Sequence, residues 1–94
     1  MRIHEGARRE AHQATVWYAE RSLSSARRFR DELLAGFSSA VSFPLRYPSY
    51  LHGTRRVQLK KFPFFIVFID WQDEVYIVAV VHAKRRPGYW KRRI

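Results

Sequence analysis

Cysteine is absent from this 94-residue chain, which removes disulfide staples, thiolate zinc sites and cysteine nucleophiles together. Glycine is scarce and scattered: Gly6, Gly36, Gly53 and Gly88 never cluster, so there is no phosphate-cradling loop, and nucleotide-hydrolysing and dinucleotide-binding classes drop out. The four histidines, His4, His12, His52 and His82, lack metal-ligand spacing and have no carboxylate cluster beside them, so neither a metal nor a cofactor is expected. Acid is also short. Eight Asp and Glu face 18 Lys and Arg, a net charge of +10, which points to polyanions or acidic proteins as partners. A long uncharged apolar run is missing as well. The most apolar window, 62–81, carries Asp70, Asp73 and Glu74 near its middle and reads as two strands and a turn. The first ten residues hold Arg2, Arg8 and Arg9 without the apolar stretch of a signal peptide, and a cytoplasmic protein is expected.

What is present suffices for one domain over residues 1–94. Hydrophobic residues make up 47% of the chain, with seven Phe, five Tyr and three Trp to fill a core. Ala7, Ala11, Ala14 and Tyr18 recur at helical spacing and predict a first amphipathic helix from Gly6 to Glu20. Ala26, Phe29, Leu33, Phe37 and Ala40 predict a second, stopped near Phe43 by Pro44. The link Arg21 to Ser25 is short enough to fold the two back as an antiparallel hairpin. Three strands follow. Thr54 to Lys60 alternates, with Val57 and Leu59 on one face and Arg56, Gln58 and Lys60 on the other. Phe64 to Ile69 is continuously apolar, and Val75 to Val81 is rich in β-branched residues. Short links make these an antiparallel meander, with Arg2 to Glu5 as an edge strand at the start. The class is α+β: a helical hairpin packed on a small antiparallel sheet, ending in a short basic segment.

Charge is distributed unevenly. The excess is +3 up to Tyr50 and +7 after it, and Lys84 to Ile94 holds six basic residues and no acid. The carboxylates Asp70, Asp73 and Glu74 read as a solvated hairpin tip rather than a glycosidase-type pair. The constellation that remains is basic and aromatic: Arg55, Arg56, Lys60 and Lys61 near one strand, then His82, Lys84, Arg85, Arg86, Tyr89, Trp90, Lys91, Arg92 and Arg93 after another. Two readings stand. Cations can clamp phosphates while rings stack on bases, and a metal-free set of this kind can activate a ribose 2′-OH and hold a phosphorane. Alternatively, Tyr89 and Trp90 pack the ending onto the sheet and the cations keep it soluble.

The order of elements and the wording of the chain resemble the RelE/ParE superfamily of toxins from bacterial type II toxin–antitoxin modules. The resemblance is carried by Trp17-Tyr18, the Ala26 to Phe29 start of the second helix, Pro44 and Pro48, the run Arg55 to Phe64 with its Phe62-Pro63-Phe64 motif, and the ending Ala79 to Arg93 with His82-x-x-Arg85-x-Pro87-x-Tyr89-Trp90. It implies a growth-inhibitory toxin of the plasmid-stabilisation kind, neutralised by a cognate acidic antitoxin and reaching operator DNA only through that complex. It also implies one of two targets. A RelE-like member would be a ribosome-dependent mRNA endoribonuclease with Arg56, Lys84, Arg85 and Tyr89 as its working residues. A ParE-like member would bind DNA gyrase without hydrolysis, through the helical hairpin and a basic surface of Lys60, Lys61, Arg86, Trp90, Lys91, Arg92 and Arg93. This chain has Gln58 and Phe65 where RelE-like enzymes carry basic groups, and a Phe cannot stabilise a phosphorane, so gyrase is the expected target. An inert descendant that only binds antitoxin and operator DNA is the third reading.

Overall fold

The computed structural model describes residues 1–94. The elements run β1 (Arg2–Ile3), α1 (Glu5–Arg21), α2 (Leu23–Ser42), β2 (Arg55–Gln58), β3 (Phe64–Trp71) and β4 (Glu74–His82), with short 3₁₀ turns at Pro44–Arg46, Leu51–Gly53 and Lys91–Arg93. The sheet order is β1-β4-β3-β2. Strands β2, β3 and β4 form the expected antiparallel meander, and β1 joins β4 in parallel through Arg2 opposite Tyr76 and Ile3 opposite Ile77.

Both helices bury the stripes that their periodicity marks. Ala7 and Ala14 from α1, and Ala26, Phe29, Leu33, Phe37 and Ala40 from α2, are buried, and most of them pack on Val57, Leu59, Ile66, Phe68, Ile77 and Val80 of the sheet. Burial of a side chain such as Phe29 contributes about 1.5 to 3 kcal/mol, so this layer carries most of the stability. The expected five-residue link between the helices is in fact one residue. Ser22 ends α1 by donating its backbone N–H to the Tyr18 carbonyl at 2.7 Å and starts α2 by accepting the Ser25 N–H on its side chain at 3.2 Å. A single extended residue reverses the chain because it satisfies backbone groups on both sides. The edge strand is also shorter than Arg2 to Glu5: His4 leaves it to cap α1, its Nδ1 accepting the Gly6 N–H at 2.8 Å.

Strict alternation fails at one place in β4. Val67 pairs with Ala79 but Phe68 pairs with Ile77, which leaves Val78 unpaired as a bulge. Ile77 and Val80 therefore face the helices together, while Val78 and Ala79 both face the opposite side. The hairpin tip between β3 and β4 is narrower than Trp71 to Glu74, which pair with each other, leaving Gln72 and Asp73 as the turn with φ of 49° and 63°. Two successive positive φ values match the twist of the strands they join.

Candidate functional site

The basic ending does not hang free. After β4 the chain turns back across the sheet face away from the helices, and Gly88, at φ +77°, occupies a spot where a Cβ would stand 3.3 Å from the His52 Nε2. Tyr89 and Trp90 both pack on the second core but meet different partners. Trp90 is 1% exposed and lies against the Tyr50 ring at 6.0 Å and the His52 ring at 5.8 Å, in a second core with Phe65, Val67 and Val81. The expectation that Trp90 meets a target is corrected accordingly: covering the otherwise bare apolar face of β3 and β4 is worth more than leaving an indole in water.

Tyr89 and Arg93 meet at Glu10 on α1. Arg93 forms a two-pronged ion pair with Glu10, Nη1 to Oε1 at 2.8 Å and Nη2 to Oε2 at 3.0 Å, and its Nη1 also donates to the Val78 carbonyl at 3.1 Å. The Tyr89 hydroxyl donates to Glu10 Oε2 at 2.5 Å and the Val80 N–H to Oε1 at 3.1 Å. One carboxylate thus accepts four hydrogen bonds and closes the outer edge of β4 where the bulge disturbs it. Gly6 makes room, because a Cβ there would lie 2.5 Å from the Arg93 Cζ. Arg93, expected to bind a target, is an internal anchor instead, with 18% of its side chain exposed against 12% for Glu10. The Glu10 hydrogen bonds hold its guanidinium above the usual arginine range.

Burial, followed by the Glu10 hydrogen bond and charge, pushes the Tyr89 hydroxyl well above its ordinary value of 10, against the smaller opposing pull of Arg85 and Arg93. A phenol in that state is no base at neutral pH. A raised pKa in the folded state also means that, above pH 10, the unfolded chain gives up this proton before the native one does, so stability falls as pH rises. The expected result is a urea midpoint that drops through the alkaline range, with a shallower drop in Tyr89→Phe, followed by circular dichroism. Tyr89→Phe should also cost about 1.5 to 3 kcal/mol at neutral pH through the lost charged hydrogen bond.

The other sequence-marked cations divide by strand. Arg56 stands on β2 with its guanidinium 4.6 Å from the Phe65 ring and 5.0 Å from that of Tyr50. Arg85 lies 3.9 Å over the Tyr89 ring, at the far side of β4. Arg56 and Arg85 thus stand on different aromatic rings, Arg56 on Phe65 and Tyr50 and Arg85 on Tyr89. Lys84, Arg85, Arg86, Lys91 and Arg92 are exposed. Lys60 and Lys61 are exposed too, on a loop whose two backbone N–H groups both donate to the Glu32 carboxylate of α2. A cleft of about 380 Å³ opens between α1 and the end of β4, with Trp17, Tyr18, Phe64 and Val80 as apolar walls and Gln13, His82 and Arg85 on its rim. Glu10 is the residue that sequence reading passed over. Its one signal is position: it lies three residues after Ala7, on the buried side of α1, in a chain with few acids.

No helix is long and apolar enough to cross a membrane. Residues 1–87 match the model of a family described as the ParE toxin of the type II toxin–antitoxin system parDE, so Tyr89, Trp90 and Arg93 lie beyond the matched span. No curated protein matches the chain.

Proposed function

Because the chain belongs to the ParE toxins of type II toxin–antitoxin systems, we propose that it inhibits DNA gyrase by binding it, cuts no nucleic acid, and is neutralised by a cognate acidic antitoxin. The observation that carries this reading is the Tyr89 hydroxyl, held on the Glu10 carboxylate at 2.5 Å, where a ribonuclease needs a free proton-transferring group. Phe65 supports it. That side chain is 6% exposed beneath the Arg56 guanidinium and adds no second charge beside it. Target contact then falls to the exposed cations Lys60, Lys61, Lys84, Arg85, Arg86, Lys91 and Arg92 and to the α1 cleft, whose half-exposed Trp17 supplies an aromatic anchor.

Two assays on one preparation test the reading. Purified protein is added to gyrase and supercoiling is followed; the same protein is added to programmed ribosomes and primer extension is run on the bound mRNA. Supercoiling should be inhibited while the mRNA stays intact, and addition of the antitoxin encoded beside the gene should restore gyrase activity. New RNA ends with unimpaired supercoiling would overturn the proposal in favour of the ribonuclease.

A further inference from the structure

We propose that one pole of this molecule holds the phosphate backbone of a DNA duplex without reading its sequence. The pole follows from the fold. Helix α2, at 20 residues, and strand β4, at nine, are each about 30 Å long, against overall extents of 39 × 26 × 20 Å, so both run along the long axis. Phe64 fixes which ends meet: its ring lies 5.2 Å from that of Phe29 near the start of α2 and 5.0 Å from that of His82 at the close of β4. The turn between the helices, the β2–β3 loop and the segment after β4 therefore share one pole, and the end of α2 shares the other with the β3–β4 tip.

Charge separates the poles. Residues 17–28, 58–64 and 82–86 carry eight Lys and Arg against one carboxylate, Glu20, whereas residues 1–3, 41–46 and 70–74 carry two against three. All eight cations are exposed and none is ion-paired within the chain. Two further carboxylates beside them are already engaged: Glu32 accepts the Lys60 and Lys61 backbone N–H groups, and Glu10 is tied to Arg93 and Tyr89. So dense a charge of one sign matches a polyanion better than a protein surface, where the signs are mixed. Apart from Trp17 at the cleft, Leu23 is the one large exposed hydrophobic residue in these segments, too little for the centre of a protein interface. The aromatic rings favour contact with phosphates over contact with bases. The Arg21 guanidinium lies 3.6 Å over the Trp17 ring and that of Arg85 3.9 Å over Tyr89, so each ring presents a charged fork where a base would stack. The inference rests on the gyrase reading for its choice of DNA, the polyanion on which gyrase works, and adds a contact with that DNA to contact with the enzyme.

Fluorescence anisotropy of a short labelled DNA duplex of arbitrary sequence, titrated with the purified chain, tests this. Binding should be indifferent to sequence and should weaken with salt, the logarithm of affinity falling by roughly 0.9 per logarithm of salt for each phosphate neutralised. Arg28→Ala, Lys60→Ala and Lys61→Ala combined should weaken binding tenfold or more at low salt and make that slope shallower by about 2 to 3. Circular dichroism should be unchanged, because Glu32 is held by backbone N–H groups that alanine keeps. Lys60→Glu alone, read the same way, serves if the combined variant folds poorly. Arg2→Ala with Arg46→Ala, at the opposite pole, should alter neither affinity nor slope. Absence of DNA binding at low salt, an equal loss from the opposite-pole pair, or binding unmoved by the changes at Arg28, Lys60 and Lys61 would each overturn the proposal. So would tighter binding to a single strand or to an RNA duplex, or displacement by polyglutamate as readily as by unlabelled duplex. No gyrase is present in this assay, so a chain that inhibits supercoiling yet binds no DNA sinks this inference alone.

Discussion

Glu10→Ala is expected to remove about 3 to 5 kcal/mol of stability, because it strands one member of a largely buried ion pair together with two further donors. Its neighbours explain the size. The substitution leaves the Arg93 guanidinium with only the Val78 carbonyl, the Tyr89 hydroxyl without an acceptor, and the Val80 N–H unpaired at the edge of β4. A domain of this length holds about 5 to 15 kcal/mol in total. The melting temperature should therefore fall by on the order of 12 to 40 °C. Arg93→Lys should not rescue the fold, because an ammonium cannot reproduce the two-pronged geometry. Replacing Glu10 and Arg93 together by Leu and Met should cost less than either single truncation, since no charge is then left alone. Urea and thermal unfolding by circular dichroism check all of these. A loss below about 1 kcal/mol for Glu10→Ala would place the pair among those surface contacts that contribute little.

The second large effect is expected on the target, not on the fold. Changing Arg85, Arg86 and Arg92 together to Ala should weaken binding roughly tenfold to a hundredfold at low salt and flatten its dependence on ionic strength, because exposed charges steer and orient a partner over about a Debye length. All three are exposed, and none forms an ion pair within the chain. Arg92 and Arg93 are the sharpest contrast: adjacent in sequence, one should govern affinity and the other stability. Titration of the variant against gyrase, the proposed target, at several salt concentrations, with circular dichroism as a control on folding, separates the two. A triple variant that fails to fold would show the exposed cations to be structural.

The α+β class, the three meander strands and both helical stripes were legible because each rests on a period that burial enforces. Ala26, Phe29, Leu33, Phe37 and Ala40 are all buried, as their spacing requires. The bulge at Val78 was not legible, since Val75 to Val81 is apolar throughout and offers no alternation to break. The one-residue link at Ser22 was hidden among three serines, each able to cap. At the site, periodicity and composition marked the right segment but misread its inside and outside. Trp90 and Arg93 sit in a run of cations that looks uniformly solvated, and what distinguishes them is a tertiary partner: Tyr50 and His52 for one, Glu10 for the other. A contact between residues 83 apart in sequence leaves no local trace.

That separation also orders events in time. A chain growing from its N-terminus at about 5 to 20 residues per second makes Glu10 roughly 4 to 17 s before the arginine that neutralises it. Throughout that interval the carboxylate lacks the partner it has in the fold, and the helical hairpin cannot settle against β4 without burying it. Trp90 is equally late, so the second face of the sheet stays wet until that indole has been made. The hairpin and the sheet thus take their final packing only after Trp90 and Arg93 have been made.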